Sequence, residues 1–95
     1  MKICQSRSFE KKIKRFLKKE KKIFDQEIKK IIENPFIGEE KKRDLKGLFV
    51  YKFKIETIQY LLSYRMINDD LELIMIGPHE NYYRDLKSYL KRRQN

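Results

Sequence analysis

The 95-residue chain is poor in cysteine, glycine and proline, and each shortage excludes a class of protein. One cysteine, Cys4, rules out an intramolecular disulfide and a thiolate-rich zinc site, and it favours a reducing, cytosolic location. Three glycines and two prolines exclude collagen-like and low-complexity chains. The longest apolar stretch, Leu73 to Ile76, is far below the ~18 residues of a membrane span. The basic amino-terminal segment lacks the apolar core of a signal peptide. We therefore expect a cytoplasmic chain without a membrane segment.

Motifs of several enzyme classes are missing as well. The chain contains neither GxGxxG nor GxxxxGK[ST], the two common phosphate cradles, and it has no GxSxG nucleophile motif. A single histidine, His79, beside a single cysteine argues against a standard zinc site. We expect no cofactor and no metal ion.

Positive charge is the most abundant feature. Lys and Arg number 24 against 14 Asp and Glu, which gives a formal net charge of +10. A polyanion such as nucleic acid is the leading partner class, although an acidic protein partner also fits, and lysine-rich helices often form merely solvated surfaces. The basic residues concentrate in three stretches: 11–22, 41–54 and 87–93.

The first third of the chain has helical periodicity. Apolar residues recur at i, i+4, i+7 and i+8 from Phe9 and again over 24–32, which predicts two helices, with Asn34-Pro35 ending the second. We place the turn between them in Lys18 to Lys22, with one long helix as the alternative. A short strand at 3–4, with Cys4 as a core residue, precedes them, and a loop over 36–47 follows them.

The remainder alternates with period two and then returns to helical spacing. Strands are predicted over 48–55, 60–67 and 71–76, with Asn68 to Asp70 as the turn of a hairpin. A final helix from Tyr82, capped by Asn81, directs Tyr82 into the core. The chain is therefore a single α+β domain, 1–95, with helices on one face of a small antiparallel sheet and the other face available for a ligand.

That second face is predicted to carry the functional side chains. Lys52 and Lys54 alternate along one strand, and Arg65 shares their face if the register is correct. His79 follows the last strand and is suited to proton transfer near neutral pH. Each residue also has a plain structural explanation: solvated strand lysines, a turn histidine, and an Arg65–Glu72 pair across the hairpin. With Tyr82 directed into the core, its neighbour Tyr83 is left to contact a base or a phosphate.

Four segments together resemble the RelE/ParE superfamily of bacterial toxins from toxin–antitoxin systems. The order and spacing of these segments, across about residues 34–87, make the resemblance specific. They are NPFIGE at 34–39, DLKG before VYKFK at 44–54, YLLSY at 60–64, and IGPHENYYRDLK at 76–87.

The resemblance implies two helices packed on an antiparallel sheet, a carboxy-terminal helix, and a neutralising antitoxin, which we expect to be acidic. RelE-like members cleave mRNA, often on the ribosome, by attack of the 2′-hydroxyl on the adjacent phosphate, which needs no metal. Lys52 and Lys54 match lysines that stabilise charge and serve the 2′-hydroxyl in such enzymes. His79 matches the histidine of YafQ-like members and is our candidate general acid, and Tyr83 lies near an aromatic residue that packs on the substrate.

One position departs from the RelE-type pattern. Leu61 stands where many members have a phosphate-binding arginine, so we assign RNA binding to Arg65, Arg84 and Lys46 instead. YafQ-like members also have an apolar residue there. ParE-like members keep the fold and inhibit DNA gyrase, so gyrase inhibition is the main alternative, and an inactive basic nucleic-acid-binding relative is a third.

Overall fold

The computed structural model describes residues 1–93, and positions 94 and 95 of the predicted 1–95 domain lie outside the described residues. Within that range, strand β1 is followed by two helices, four further strands and a last helix. The elements are β1 (Ile3–Gln5), α1 (Arg7–Lys14), α2 (Lys18–Glu33), β2 (Glu39–Glu40), β3 (Phe49–Ile55), β4 (Ile58–Ile67), β5 (Asp70–Pro78) and α3 (Tyr82–Arg93). A 3-10 turn, Arg43–Leu45, precedes β3. The predicted α+β class is confirmed.

The five strands form one sheet in the order β1-β5-β4-β3-β2. β3, β4 and β5 pair antiparallel, as predicted. β2 lies in the segment predicted as a loop and pairs antiparallel with β3, whereas β1 pairs parallel with β5, so the sheet is mixed. The parallel pair arises because helices α1 and α2 and three more strands separate β1 from β5 along the chain. Asn68 and Asp69 form the predicted β4–β5 turn, and both have positive φ. Within residues 1–93, no helix is long and apolar enough to cross a membrane.

The turn between the first two helices begins earlier than the sequence pattern predicts. Ser6 caps α1 by accepting the Phe9 N–H at 3.0 Å. The chain then turns directly after Lys14, because the Glu20 carboxylate accepts the Leu17 N–H at 2.6 Å and fixes the start of α2. The prediction of a turn in residues 18–22 is therefore wrong, and so is the single long helix. Leu17, predicted on the apolar face, is exposed in the turn.

Apolar residues pack on both faces of the sheet. One core lies under α1 and α2 and includes Phe9, Phe24 and Ile31. A second core lies under α3 and includes Leu61 and Leu86. The second face is therefore not fully available to a ligand, contrary to the prediction, because α3 covers part of it.

A β-bulge in β5 helps to build the second core. Ser63 pairs with Met75 and Tyr64 pairs with Leu73, so Ile74 is the extra residue. Ile74 and its neighbour Met75 both belong to the core under α3. Cys4 was predicted to be buried, yet it is exposed, because β1 is a short strand at the edge of the sheet.

A hydrogen bond from the Tyr51 hydroxyl to the Glu27 carboxylate, 2.7 Å long, joins β3 to α2. Burial, with a smaller contribution from this bond, raises the pKa of Tyr51 to about 12 in the folded state. A raised pKa stabilises the fold fully below the unfolded value near 10, and that contribution is lost as the pH rises towards 12.

We expect Tyr51→Phe to lower the free energy of unfolding by about 1 kcal/mol at pH 7, the usual contribution of one hydrogen bond. The difference from the wild type should shrink between pH 10 and pH 12. Urea denaturation at pH 7, 10 and 11.5 measures it. A difference that stays constant across this range would show that the bond does not couple ionisation to folding.

Candidate functional site

Strand β3 presents two lysines on the face opposite α1 and α2. Val50, which precedes them in the same alternation, packs into the core under α3, whereas Lys52 and Lys54 are exposed beyond its edge. The alternation of a pleated strand places the three side chains on one face. The predicted register of β3 is therefore confirmed.

His79 lies at the end of β5 and is held by its backbone on two sides. Its N–H donates to the Gln59 carbonyl at 3.1 Å, and its carbonyl accepts the Tyr82 N–H at 3.2 Å. The first bond ties the residue to β4, and the second ties it to the start of α3. The backbone of His79 is therefore fixed between β4 and α3, and its exposed side chain extends from there.

The register brings the two lysines and the histidine to the same end of the sheet. Lys54 pairs with Gln59, whose carbonyl binds the His79 N–H on its other side. Lys54 and His79 are therefore two strand spacings apart, about 10 Å between backbones. Lys52 lies one row further in, paired with Leu61. Side chains of this length span such a gap, so all three can contact one nucleotide.

The adjacent tyrosines of α3 have different surroundings. Tyr82 is 3% exposed, as predicted for a core residue, and its hydroxyl lies 2.7 Å from the Met75 carbonyl and 2.9 Å from Ser63 Oγ. Burial raises the pKa of Tyr82 well above its ordinary value. Tyr83 is half-buried, and its ring meets the Tyr82 ring edge to face at 5.8 Å. Tyr83 therefore retains surface for a ligand, whereas Tyr82 anchors α3.

An ion pair beside Tyr83 was not predicted from the sequence. Lys41 Nζ lies 4.9 Å from the centroid of the Tyr83 ring and 2.8 Å from Glu39 Oε1. The hydrogen bond to Glu39 raises the pKa of Lys41, and the same bond, with a smaller contribution from Lys52, lowers the pKa of Glu39. Both groups are thus charged near neutral pH. The available signal was the i, i+2 spacing of Glu39 and Lys41, which places them on one face of a strand, in a segment predicted as loop.

Two of the three predicted RNA-binding residues, Arg65 and Lys46, lie apart from this end of the sheet. Arg65 is on the predicted face, but it is four residues beyond Leu61 on β4, about 13 Å away, and its Nε lies 3.0 Å from Glu72 Oε1. Lys46 is exposed before β3 begins, also at the far end. Arg84 is exposed on α3, with its Nε 3.7 Å from Asp85 Oδ1. The expectation that Arg65 would join the lysines and His79 is therefore wrong in position.

The arrangement suits a reaction at a phosphodiester. Ammonium groups on one side can stabilise charge that develops on the phosphate, and an imidazole on the other side can transfer a proton. Within residues 1–93, no three His, Cys, Asp or Glu side chains are grouped so that they could hold a metal ion.

Solved structures with the same fold include the bacterial toxin RelE. The E. coli toxin RelE, as a mutant in the free state, superposes with a TM-score of 0.69 at 17% identity, covering 97% of this chain and 95% of that one. RelE in the intact E. coli RelBE toxin–antitoxin complex gives 0.66 at 18% identity, covering 83% and 96%. The solution structure of HP0894 from Helicobacter pylori gives 0.51 at 20% identity, covering 83% and 94%. No curated protein sequence is significantly similar to the chain.

The fold is thus RelE-like, and the family is shown by the sequence. The family model "ParE-like toxin of type II bacterial toxin-antitoxin system" matches residues 3–87. The chain belongs to this family and is a toxin of the RelE/ParE superfamily.

Proposed function

We propose that this toxin is a metal-independent endoribonuclease that cleaves mRNA, on the ribosome, and thereby inhibits translation. The observation that carries the proposal is the placement of Lys52, Lys54 and His79 at one open end of the sheet, with Tyr83 at the margin of the same face. The likeness to RelE in fold supports it.

In the proposed reaction, the 2′-hydroxyl of one nucleotide attacks the adjacent phosphorus. A bond forms from O2′ to phosphorus and the bond to O5′ breaks, which leaves a 2′,3′-cyclic phosphate and a free 5′-hydroxyl. One of the two lysines, Lys52 or Lys54, accepts the proton that the 2′-hydroxyl loses, and the other stabilises the charge on the phosphorane. His79 donates the proton that the leaving O5′ takes up. Tyr83 packs against the substrate. Each group acts directly on RNA, so the scheme calls for no metal ion.

The remaining basic residues extend the RNA-binding surface. Lys46, Arg65 and Arg84 are partly or fully accessible, and Lys46 and Arg65 do not lie at the reacting end. We assign them to backbone phosphates away from the cleaved bond, where each contact makes binding more sensitive to salt.

A partner antitoxin belongs to the same proposal. RelE has been solved in a complex with its antitoxin, and this chain shares the fold. With a net charge of +10, the expected antitoxin is acidic and covers part of the basic surface. An mRNA substrate on the ribosome implies a cytoplasmic location.

The test is cleavage by purified toxin of mRNA bound to ribosomes, in buffer whose Mg²⁺ keeps the ribosomes intact. We expect cuts within codons whose upstream fragments end in 2′,3′-cyclic phosphate. Upstream fragments that end in a free 3′-hydroxyl, the product of attack by water on phosphorus, would contradict the proposed chemistry.

Inhibition of DNA gyrase is the second candidate, because the matching family model is described as ParE-like. A supercoiling assay with the same preparation separates the two. Inhibited supercoiling with intact mRNA would replace the endoribonuclease proposal.

A further inference from the structure

The Glu39 carboxylate lies near Lys52 in this structure. Glu39 pairs with Val50 across β2 and β3, so its side chain lies on the same face as Lys52. Glu39 is 65% exposed and binds Lys41, whose side chain is only 20% exposed. The exposed Glu39 carboxylate thus binds the shielded Lys41 ammonium and lies beside Lys52, one of the proposed reacting groups.

Lys41 is held more firmly than a surface lysine. Its backbone N–H donates to the Leu48 carbonyl at 2.8 Å, which continues the β2–β3 pairing by one residue and places Lys41 on the face of Glu39. Its ammonium lies over the Tyr83 ring, a favourable cation–π geometry. The side chain is therefore ordered before any ligand arrives, which lowers the entropy lost on binding.

Space for a ligand adjoins the ion pair. An open cavity of about 240 Å³ is lined by Glu39 and Lys52 together with Gly38, Val50 and two further residues, Ile37 and Tyr51. Its volume corresponds to about eight water molecules of the liquid, enough for a phosphate group. The lining contains one lysine, Lys52, and one acid, Glu39. The Glu39 carboxylate is already bound to Lys41.

We propose that Lys41 and Lys52 form a subsite for an RNA backbone phosphate, and that the Glu39 carboxylate holds the place of that phosphate in the free protein. The inference rests on the proposed function for its ligand, RNA, but it concerns binding rather than cleavage. A phosphate that enters takes over the Lys41 ammonium and releases Glu39 to solvent. One anion replaces another, so Lys41 keeps a counter-ion in both states. The low pKa of Glu39 keeps it ionised, and hence in competition with phosphate, at neutral pH.

The chain offers matched controls for both halves of the pair. Glu40 is the other residue of β2, is exposed, and faces the opposite side of the sheet because it pairs with Phe49. Lys42 follows Lys41 and is exposed. Glu39→Gln and Glu40→Gln change the net charge equally, and so do Lys41→Met and Lys42→Met.

The experiment measures binding of a short single-stranded RNA whose 2′-hydroxyls are methylated, so that cleavage cannot occur. Fluorescence anisotropy at several salt concentrations gives the dissociation constants. We expect Lys41→Met to weaken binding about tenfold and to reduce the salt slope by about 0.7, the value for one phosphate contact on a single strand. Lys42→Met should stay within about twofold of the wild type, and Lys41→Arg should restore most of the affinity.

The acidic pair gives an independent result if Lys41→Met fails to fold, which a thermal melt checks. Glu39→Gln should tighten binding at least threefold more than Glu40→Gln, because only Glu39 competes with the phosphate. Equal effects within either matched pair would overturn the subsite. If the matched variants bind the methylated RNA as predicted but the wild-type protein leaves unmodified mRNA intact, the endoribonuclease proposal is refuted and the subsite stands. If unmodified mRNA is cleaved but Lys41→Met and Lys42→Met weaken RNA binding equally, the endoribonuclease proposal stands and the subsite is refuted.

Discussion

Replacement of His79 by alanine is expected to lower the rate of RNA cleavage by about 10²- to 10⁴-fold, the range for loss of a general acid. The side chain is exposed, and the residue is held by its backbone N–H and carbonyl, which alanine retains. Folding should therefore be unchanged, and binding of the methylated RNA should change by less than about threefold.

Glu80→Ala is the control for this prediction. Glu80 is the next residue of the same exposed turn, and the proposed mechanism gives it no role. Single-turnover cleavage rates should fall in the His79 variant and stay within a few-fold of the wild type in the Glu80 variant. If both variants lose activity equally, the integrity of the turn, rather than the imidazole, is what cleavage requires.

The two adjacent tyrosines should have opposite phenotypes. Tyr82→Ala should lower the free energy of unfolding by about 3–5 kcal/mol, because it removes a buried ring from the core under α3. It also leaves the Met75 carbonyl without the Tyr82 hydroxyl. A loss of this size is a large share of the stability of a small domain. Urea denaturation measures it.

Tyr83→Ala should lose only about 1 kcal/mol of stability, because the ring is half-buried and contributes one edge-to-face contact and one cation–π contact. Its RNA cleavage rate, measured at a temperature where the variant is folded, should fall by at least tenfold. Equal losses of stability in the two variants, or full activity in Tyr83→Ala, would contradict the assignment of Tyr82 to the core and Tyr83 to the substrate.

Local patterns in the sequence were sufficient to predict most elements. Period-two alternation over 49–55 placed Lys52 and Lys54 on one face because strand geometry leaves no other choice. Helical spacing from Tyr82 assigned that residue to the core, as observed. Asn34-Pro35 ended the second helix at the expected place, since α2 stops at Glu33.

Features that depend on long-range contacts were not predictable in this way. The start of α2 depends on the Glu20 carboxylate reaching back to Leu17, a single side-chain contact in a run of similar polar residues. The parallel pairing of β1 depends on β5, which the chain forms 65 residues later. At this edge of the sheet, Cys4 is exposed. The Lys41–Tyr83 contact joins residues 42 positions apart.

Arg65 shows the same limit within the site. Alternation correctly predicted its face, but the position of a residue along a strand decides which partners it meets. Cross-strand pairing gave it Glu72, the alternative that the sequence also offered. Residues of one face can therefore be listed from sequence, whereas their grouping at one end requires the register of all five strands.

The central claim is that this toxin cuts mRNA with His79 as the proton donor. The most direct measurement is mRNA integrity after brief induction in a bacterial host that lacks the antitoxin, with primer extension to map any cuts. The account predicts cuts within translated codons that disappear in the His79→Ala variant. Intact mRNA during continued growth arrest would contradict it and would make the basic end of the sheet a docking surface for another target.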